Sequence, residues 1–208
     1  MEIKTILKEE INTIIVEKSK FIAYLFPCDN KQEANLILED LRKTHYDATH
    51  VCYAYIIDDE GVTLYKSSDD GETSQTAGAP MLNVLKRTEL TNVLAVVVRY
   101  FGGIKLGAGG LTRTYSNAVI EALKVSTIVT LVDAYKYEMI FNYDRIRDFD
   151  RILENNNVEI IDKVYDLKVH YTLLIFDKSE IERLKEKYSY LNVTFEEKEQ
   201  IVTRKPIY

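Results

Sequence analysis

The sequence predicts an α+β protein of two domains, and three observations carry that reading. Short β-rich runs alternate with helix-period segments along the 208 residues. All eight glycines lie at or before Gly110, so the chain changes character in its last part. Beyond about residue 135 a β-α-β-β-α-β rhythm sets in that the first part lacks. A composition of 46% hydrophobic and 29% charged residues excludes wholesale disorder and fits one large or two small packed domains.

Residues 11–27, INTIIVEKSKFIAYLFP, read as two β-rich runs parted by Lys18-Ser19-Lys20, a hairpin closed by Pro27. From Asn30 the apolar positions Ala34, Ile37, Leu38 and Leu41 recur three and four apart, with Asp29 or Asn30 available as cap. That predicts a helix packed by one face. Residues 50–57 read as a buried strand, Asp58-Asp59-Glu60-Gly61 as a turn, and 62–65 as the returning strand. The polar run SSDDGETSQTAGAP, with Gly71 and Gly78 as breakers, is a surface loop. Pro80 opens a short helix over 80–88, where its missing N–H costs nothing. Residues 92–100, NVLAVVVRY, are apolar on both faces as far as Arg99 and belong at the centre of a sheet covered on both sides. FGGIKLGAGG follows as a loop, 111–124 as a helix and 127–132 as a strand. The remainder reads as strand 135–142, helix 144–155, strands 158–165 and 167–176, helix 178–189 and strand 192–203. This is the ferredoxin-like split motif. A boundary near 133–136 gives domains 1–134 and 135–208.

The net charge of −6 lacks the overall footprint of a protein that coats nucleic acid, so any such binding is local. Two cysteines, Cys28 and Cys52, make neither a disulfide scaffold nor a cysteine-only zinc site, and the His50-x-Cys52 pair has no second pair to complete it. No metal and no cofactor is expected. The start MEIKTILKEE has no apolar signal core, and no run approaches the roughly 18 apolar residues that span a bilayer. The expectation is a cytoplasmic protein with reduced thiols and no membrane partner.

Chemistry concentrates in 92–124, which holds Gly102, Gly103, Gly107, Gly109 and Gly110 with Arg99, Lys105, Arg113 and Lys124, against the single acid Glu121. Strand, glycine-rich loop and helix is the architecture of an anion site, because glycine lets backbone approach closely and helix N-terminal N–H groups carry partial positive charge. The spacing fits neither the Walker A loop nor the dinucleotide fingerprint. The plainer alternative is that these glycines serve tight turns and close packing. Tyr100 and Phe101 beside Arg99 offer base stacking or core packing. The acids Asp69, Asp70 and Glu72, with Thr73, Ser74 and Thr76, could hold a hydrated cation or form a solvated turn. Three scattered histidines support no Ser-His-Asp or Cys-His arrangement, so no catalytic residue is assigned; His45 and His170 are read as structural or surface residues.

These residues carry a resemblance. ATHVCYAY, SSDDGETSQTAGAPMLNVL and NVLAVVVRYFGGIKLGAGGLTRTYSNAVIEAL closely resemble the YigZ/IMPACT family over about residues 46–123. The resemblance implies an N-terminal domain like the second domain of small-subunit ribosomal protein five. The last domain is similar to that of elongation factor G. It also implies translation control, since eukaryotic relatives act through a ribosome-associated activator of a stress kinase. The chain departs from the family pattern at Thr73, Gln75 and Val98, where proline, glycine and threonine are usual. Thr73 and Gln75 make the acidic loop less preset and less suited to positive φ.

The leading expectation is a non-enzymatic translation-associated regulator whose partner is RNA or a ribosome-associated protein, gripped through Arg99, Lys105, Arg113 and the glycine loop. One alternative is a phosphotransferase or hydrolase with phosphate at Gly109-Gly110 and magnesium on Asp69, Asp70 or Glu72. Another is a protein-interaction adaptor, which the net charges of −4 for residues 1–135 and −2 for 136–208 favour. Oligomeric state is not written in these patterns.

Overall fold

The computed structural model describes residues 3–59, 61–154 and 158–206. Glu60 of the expected turn and Asn155 at the expected helix end lie outside the described residues. The chain divides into two compact units, one of residues 1–130 with 204–208 and one of residues 131–203.

In the first unit β1 (Ile3–Ile6), β2 (Glu10–Val16), β3 (Ser19–Pro27), α1 (Lys31–Thr44), β4 (His50–Asp59), β5 (Val62–Ser68), α2 (Gly78–Arg87), β6 (Val93–Tyr100) and α3 (Gly107–Val125) follow in order. Five strands form an antiparallel sheet in the order β2-β3-β6-β4-β5. The strand period of two decides the layers. Val93, Ala95 and Val97 of β6 pack with α2 and α3, whereas Leu94, Val96 and Val98 pack on the α1 side with Ala34, Leu38 and Leu41. The central strand is thus buried on both faces, as its uninterrupted apolar run predicts. Asn30 caps α1 by accepting the Glu33 N–H at 2.9 Å.

The β2–β3 hairpin turns at Glu17-Lys18, one residue before the expected Lys18-Ser19-Lys20. Both turn residues take positive φ, 47° and 62°, the conformation that matches strand twist in a two-residue hairpin. Helix α3 starts at Gly107 rather than Leu111, so the last four residues of the glycine-rich run are its first turn.

The second unit begins inside β7 (Ile128–Phe141), which runs the expected strands 127–132 and 135–142 together, since neither Asp133 nor Ala134 breaks a strand. It continues through α4 (Ile146–Glu154), β8 (Val158–Tyr165), β9 (Val169–Ile175), α5 (Lys178–Tyr188) and β10 (Thr194–Pro206). The strand order β8-β9-β7-β10 is that of a split β-α-β fold. Tyr137, Met139 and Phe141 of β7 and Tyr171, Leu173 and Ile175 of β9 alternate onto one face, where Phe149, Leu153, Ile181 and Leu184 of α4 and α5 cover them.

Candidate functional site

Register across the sheet builds the site. Arg99 stands opposite Phe21 of β3 on one side and His50 of β4 on the other, so all three project from the face that carries α3. The Arg99 guanidinium lies 5.3 Å from the Phe21 ring centre and 5.5 Å from that of Phe101. It pairs with the Glu72 carboxylate, each side chain 6% exposed. Glu72 also accepts from the Tyr115 hydroxyl of α3 at 3.1 Å. Burial pushes the Glu72 carboxyl up, but the Arg99 hydrogen bond and charge, the Thr73 N–H and nearby His50 outweigh it and hold the group below the ordinary range. Arg99 Nε is buried without a hydrogen-bond partner.

His50 has its Nδ1 3.1 Å from the Asp70 carbonyl oxygen, which can only accept, so Nδ1 carries the hydrogen. In the neutral ring that leaves Nε2 with its lone pair, 3.8 Å from Glu72 Oε1. Below the row, Cys52 Sγ lies 2.9 Å from the Asp69 carbonyl oxygen and 3.5 Å from the Tyr115 hydroxyl. Burial pushes this thiol up to about 12, so it stays protonated at neutral pH.

The acidic loop is spent on structure. Asp69 accepts from the N–H groups of Gln75 (2.7 Å), Ala77 (3.0 Å) and Gly78 (2.9 Å), capping α2 from outside the helix in place of the side-chain cap that Ala77 lacks. Burial pushes its carboxyl up, and these three donors more than reverse that. Asp70 accepts from the Val51 N–H at 2.9 Å and from Arg42 at 3.1 Å. Gln75, despite replacing the usual glycine, adopts φ 61°, pinned by its bond to Asp69. Among the described residues no cluster of three or more His, Cys, Asp or Glu is placed to hold a metal.

Above Glu72 opens a cavity of about 360 Å³ lined by His50, Thr73, Arg99, Phe101, Lys105 and Gly107. The helix behind it has Leu106 at its N-cap, no capping side chain and no acid in its first turn. The first N–H groups of α3 therefore have no intrahelical acceptor, and the positive end of the helix dipole is uncompensated.

The structure sorts the sequence candidates into wall, rim and elsewhere. Arg99 is in the wall, its charge engaged by Glu72. Lys105 lines the cavity and is exposed, while Arg113 is exposed one to two turns along α3. Gly102 serves close approach, since a Cβ there would lie 2.0 Å from the Lys18 carbonyl carbon. Gly103 and Gly107 take positive φ, 89° and 68°, and Gly109 and Gly110 lie in the first turn of α3. The two stacking candidates part company: Phe101 is 46% exposed at the site, whereas the Tyr100 hydroxyl lies 2.8 Å from His45 Nδ1 on the α1 side. Phe21, His50 and Tyr115 belong to the site without a motif that marks them for it. Their only sequence signals are His50 and Cys52 sharing one face of a strand, and a tyrosine four residues beyond Leu111 on a helix.

The sequence profile described as "Impact N-terminal domain" matches residues 17–123, which contain every residue of this constellation. The chain belongs to the IMPACT family. The IMPACT family member YvyE of Bacillus subtilis (strain 168) is 52% identical over 110 residues, covering 53% of this chain and 50% of its own length. An IMPACT family member from Haemophilus influenzae is 35% identical over 165 residues, 79% of this chain and 80% of its own. A solved structure described as that of a hypothetical protein superposes with a TM-score of 0.61 at 28% identity, over 95% of this chain and 98% of that one. The likeness to the Haemophilus influenzae relative, over 165 residues, is longer than the first unit and reaches into the second. No helix among the described residues is long and apolar enough to cross a membrane.

Proposed function

We propose that this IMPACT family member is a non-enzymatic, translation-associated regulator that holds RNA by its phosphate backbone around the N-terminus of α3. One observation carries the reading: Lys18, Lys105 and Arg113 are all exposed and, among the described residues, have no ion-pair partner. They gather at one place. The Lys18 backbone abuts Gly102, Lys105 lines the cavity, and an Arg113 nitrogen lies 3.6 Å from where a Gly109 Cβ would be. Glu17 at the hairpin turn adjoins them and lowers the sum. The uncapped helix terminus adds N–H donors that suit phosphate oxygens. Phe101 supplies a ring face at the rim. The family supplies the translational setting, in which RNA is the abundant polyanion.

Binding of a single-stranded RNA oligonucleotide is expected to weaken steeply with salt. Lys105→Ala with Arg113→Ala should flatten the logarithmic slope by about 1.4, two contacts at about 0.7 each on a single strand. Identical slopes for wild type and double variant would remove the site. A second reading, a phosphate-handling enzyme, draws on His50, which lines the same cavity beside Glu72. It requires thermal stabilisation by nucleotide with magnesium, about 2.7 kcal/mol at 100 times the dissociation constant.

A further inference from the structure

We infer that the opposite face of the same sheet is a docking groove for a basic amphipathic helix of a protein partner. Ile11, Thr13 and Ile15 alternate onto the α1 side of β2, and α1 does not reach them: Ile11 is 54% and Ile15 72% exposed. Ile11 stands opposite Tyr24, which stacks on Phe26 at 6.0 Å between ring centres, and both rings line a groove of about 420 Å³ against α1. Leu36, 61% exposed, and Ile37 form its helical wall. The strip therefore runs from Ile15 past Thr13 to Ile11 and Tyr24, and across the groove to Leu36. Isolated exposed apolar residues are ordinary, but a connected strip beside a groove marks an interaction surface.

Charge names the occupant. The charged residues lining the groove are Glu9 and Asp40, whereas Lys20, opposite Ile15, puts a positive charge at the far end of the strip, so the occupant's basic residues lie at the groove end. A segment with an apolar stripe and flanking lysines or arginines complements both features.

The edge of the sheet argues for a helix lying on this face rather than an added strand. The two-residue turn pairs Val16 with Ser19, so Ile11, Thr13 and Ile15 direct their N–H groups to the open edge. The middle of these donors, the Thr13 N–H, is already bound to Asn12 Oδ1 at 2.8 Å, which a new ladder would have to break. The strip from Ile11 to Ile15 is about 13 Å long. With the groove beyond it, a helix of about 14 residues, about 21 Å, covers the whole.

The test uses the full chain and three synthetic helical peptides of about 14 residues. They share a leucine stripe at i, i+3, i+4 and i+7 and differ only in carrying lysine, glutamine or glutamate beside it. The lysine peptide should bind at least about tenfold more tightly than the glutamate peptide. Its amide shift changes should centre on Ile11, Ile15, Tyr24 and Leu36. Ile15→Ser with Leu36→Ser, both exposed and so compatible with folding, should weaken it about tenfold or more. Glu9→Lys with Asp40→Lys should reverse the charge preference. Absence of binding, indifference to peptide charge, or full affinity in the serine variant would overturn the inference. So would concentration-dependent dimerisation abolished by the serine variant, which would give the groove to a second copy, or RNA displacing the peptide. RNA binding at the α3 terminus reads out separately, because the serine variant leaves that surface intact.

Discussion

Arg99 and Glu72 pair across the wall of the site with each side chain 6% exposed, joining the basic strand end to the acidic loop 27 positions before it. Two charges removed from water stabilise a fold only while both remain, and removing one strands the other. Glu72→Gln is accordingly expected to lower unfolding free energy by about 3–5 kcal/mol. Replacing both, with Glu72→Leu and Arg99→Met, should cost clearly less, measured by urea denaturation at pH 7. Equal losses in the single and double variants would show that the pair is not coupled. The pH dependence has a definite sign. The Glu72 carboxyl is held below its ordinary value, so its contribution is present above about pH 4.3 and lost as pH falls through the folded value. Glu72→Gln should flatten the acid limb of the stability profile.

Asp69 supports α2 as the cap that Ala77 cannot be. Asp69→Ala leaves the Gln75, Ala77 and Gly78 N–H groups without their acceptor, at an expected cost of about 2–4 kcal/mol. Amide hydrogen exchange at those three positions should accelerate well before the amides of β6 respond. Unchanged exchange there would mean that water replaces the carboxylate without loss.

What the sequence made legible was local. The run NVLAVVVRY declares a doubly covered strand because each face is apolar in turn, and the motif of 135–203 declares its elements by rhythm alone. The start of α3 was hidden because glycine is a poor helix former, so its first turn read as loop. The hairpin turn shifted by one because Glu17 and Lys18, neither of them glycine, accept positive φ. The site itself is non-local. Phe21, Arg99 and His50 meet only through strand register, and Tyr115 arrives from a helix. Sequence shows that Arg99 is charged. It does not show that Glu72 is folded against it, which shifts the available positive charge outward to Lys105 and its neighbours.

Glycines of one motif should respond oppositely to the same substitution. At Gly102 an added Cβ meets backbone at 2.0 Å, so Gly102→Ala forces the hairpin away from the loop and should be destabilising by more than about 2 kcal/mol. At Gly109 the nearest contact is a flexible Arg113 nitrogen at 3.6 Å, and the residue sits in a helix. Gly109→Ala should therefore raise stability by about 0.5–1 kcal/mol, or about 2 °C in Tm. It keeps the backbone N–H that an anion would use. Thermal scans of the two variants decide the matter, and a loss of stability in Gly109→Ala would show that this position is not governed by helix propensity.

In the second unit His170 of β9 lies between two carboxylates, Nδ1 at 2.8 Å from Glu138 and Nε2 at 3.3 Å from Asp166. The hydrogen bond to Glu138 raises its pKa above the ordinary histidine value; desolvation opposes it, and the Asp166 and Glu138 charges add to the rise. A raised folded-state value contributes stability that is complete below about pH 6.5 and disappears as pH rises through the folded value. Glu138 is shared, since Lys198 Nζ lies 2.5 Å from its other oxygen. Lys198→Ala should therefore concentrate the Glu138 charge on the ring and raise the histidine further, while Glu138→Gln should bring it back toward about 6.5. Ring-proton NMR titration of His170 in the three proteins reads this directly. A wild-type value at or below about 6.5 would show that solvent, not the two carboxylates, sets its protonation.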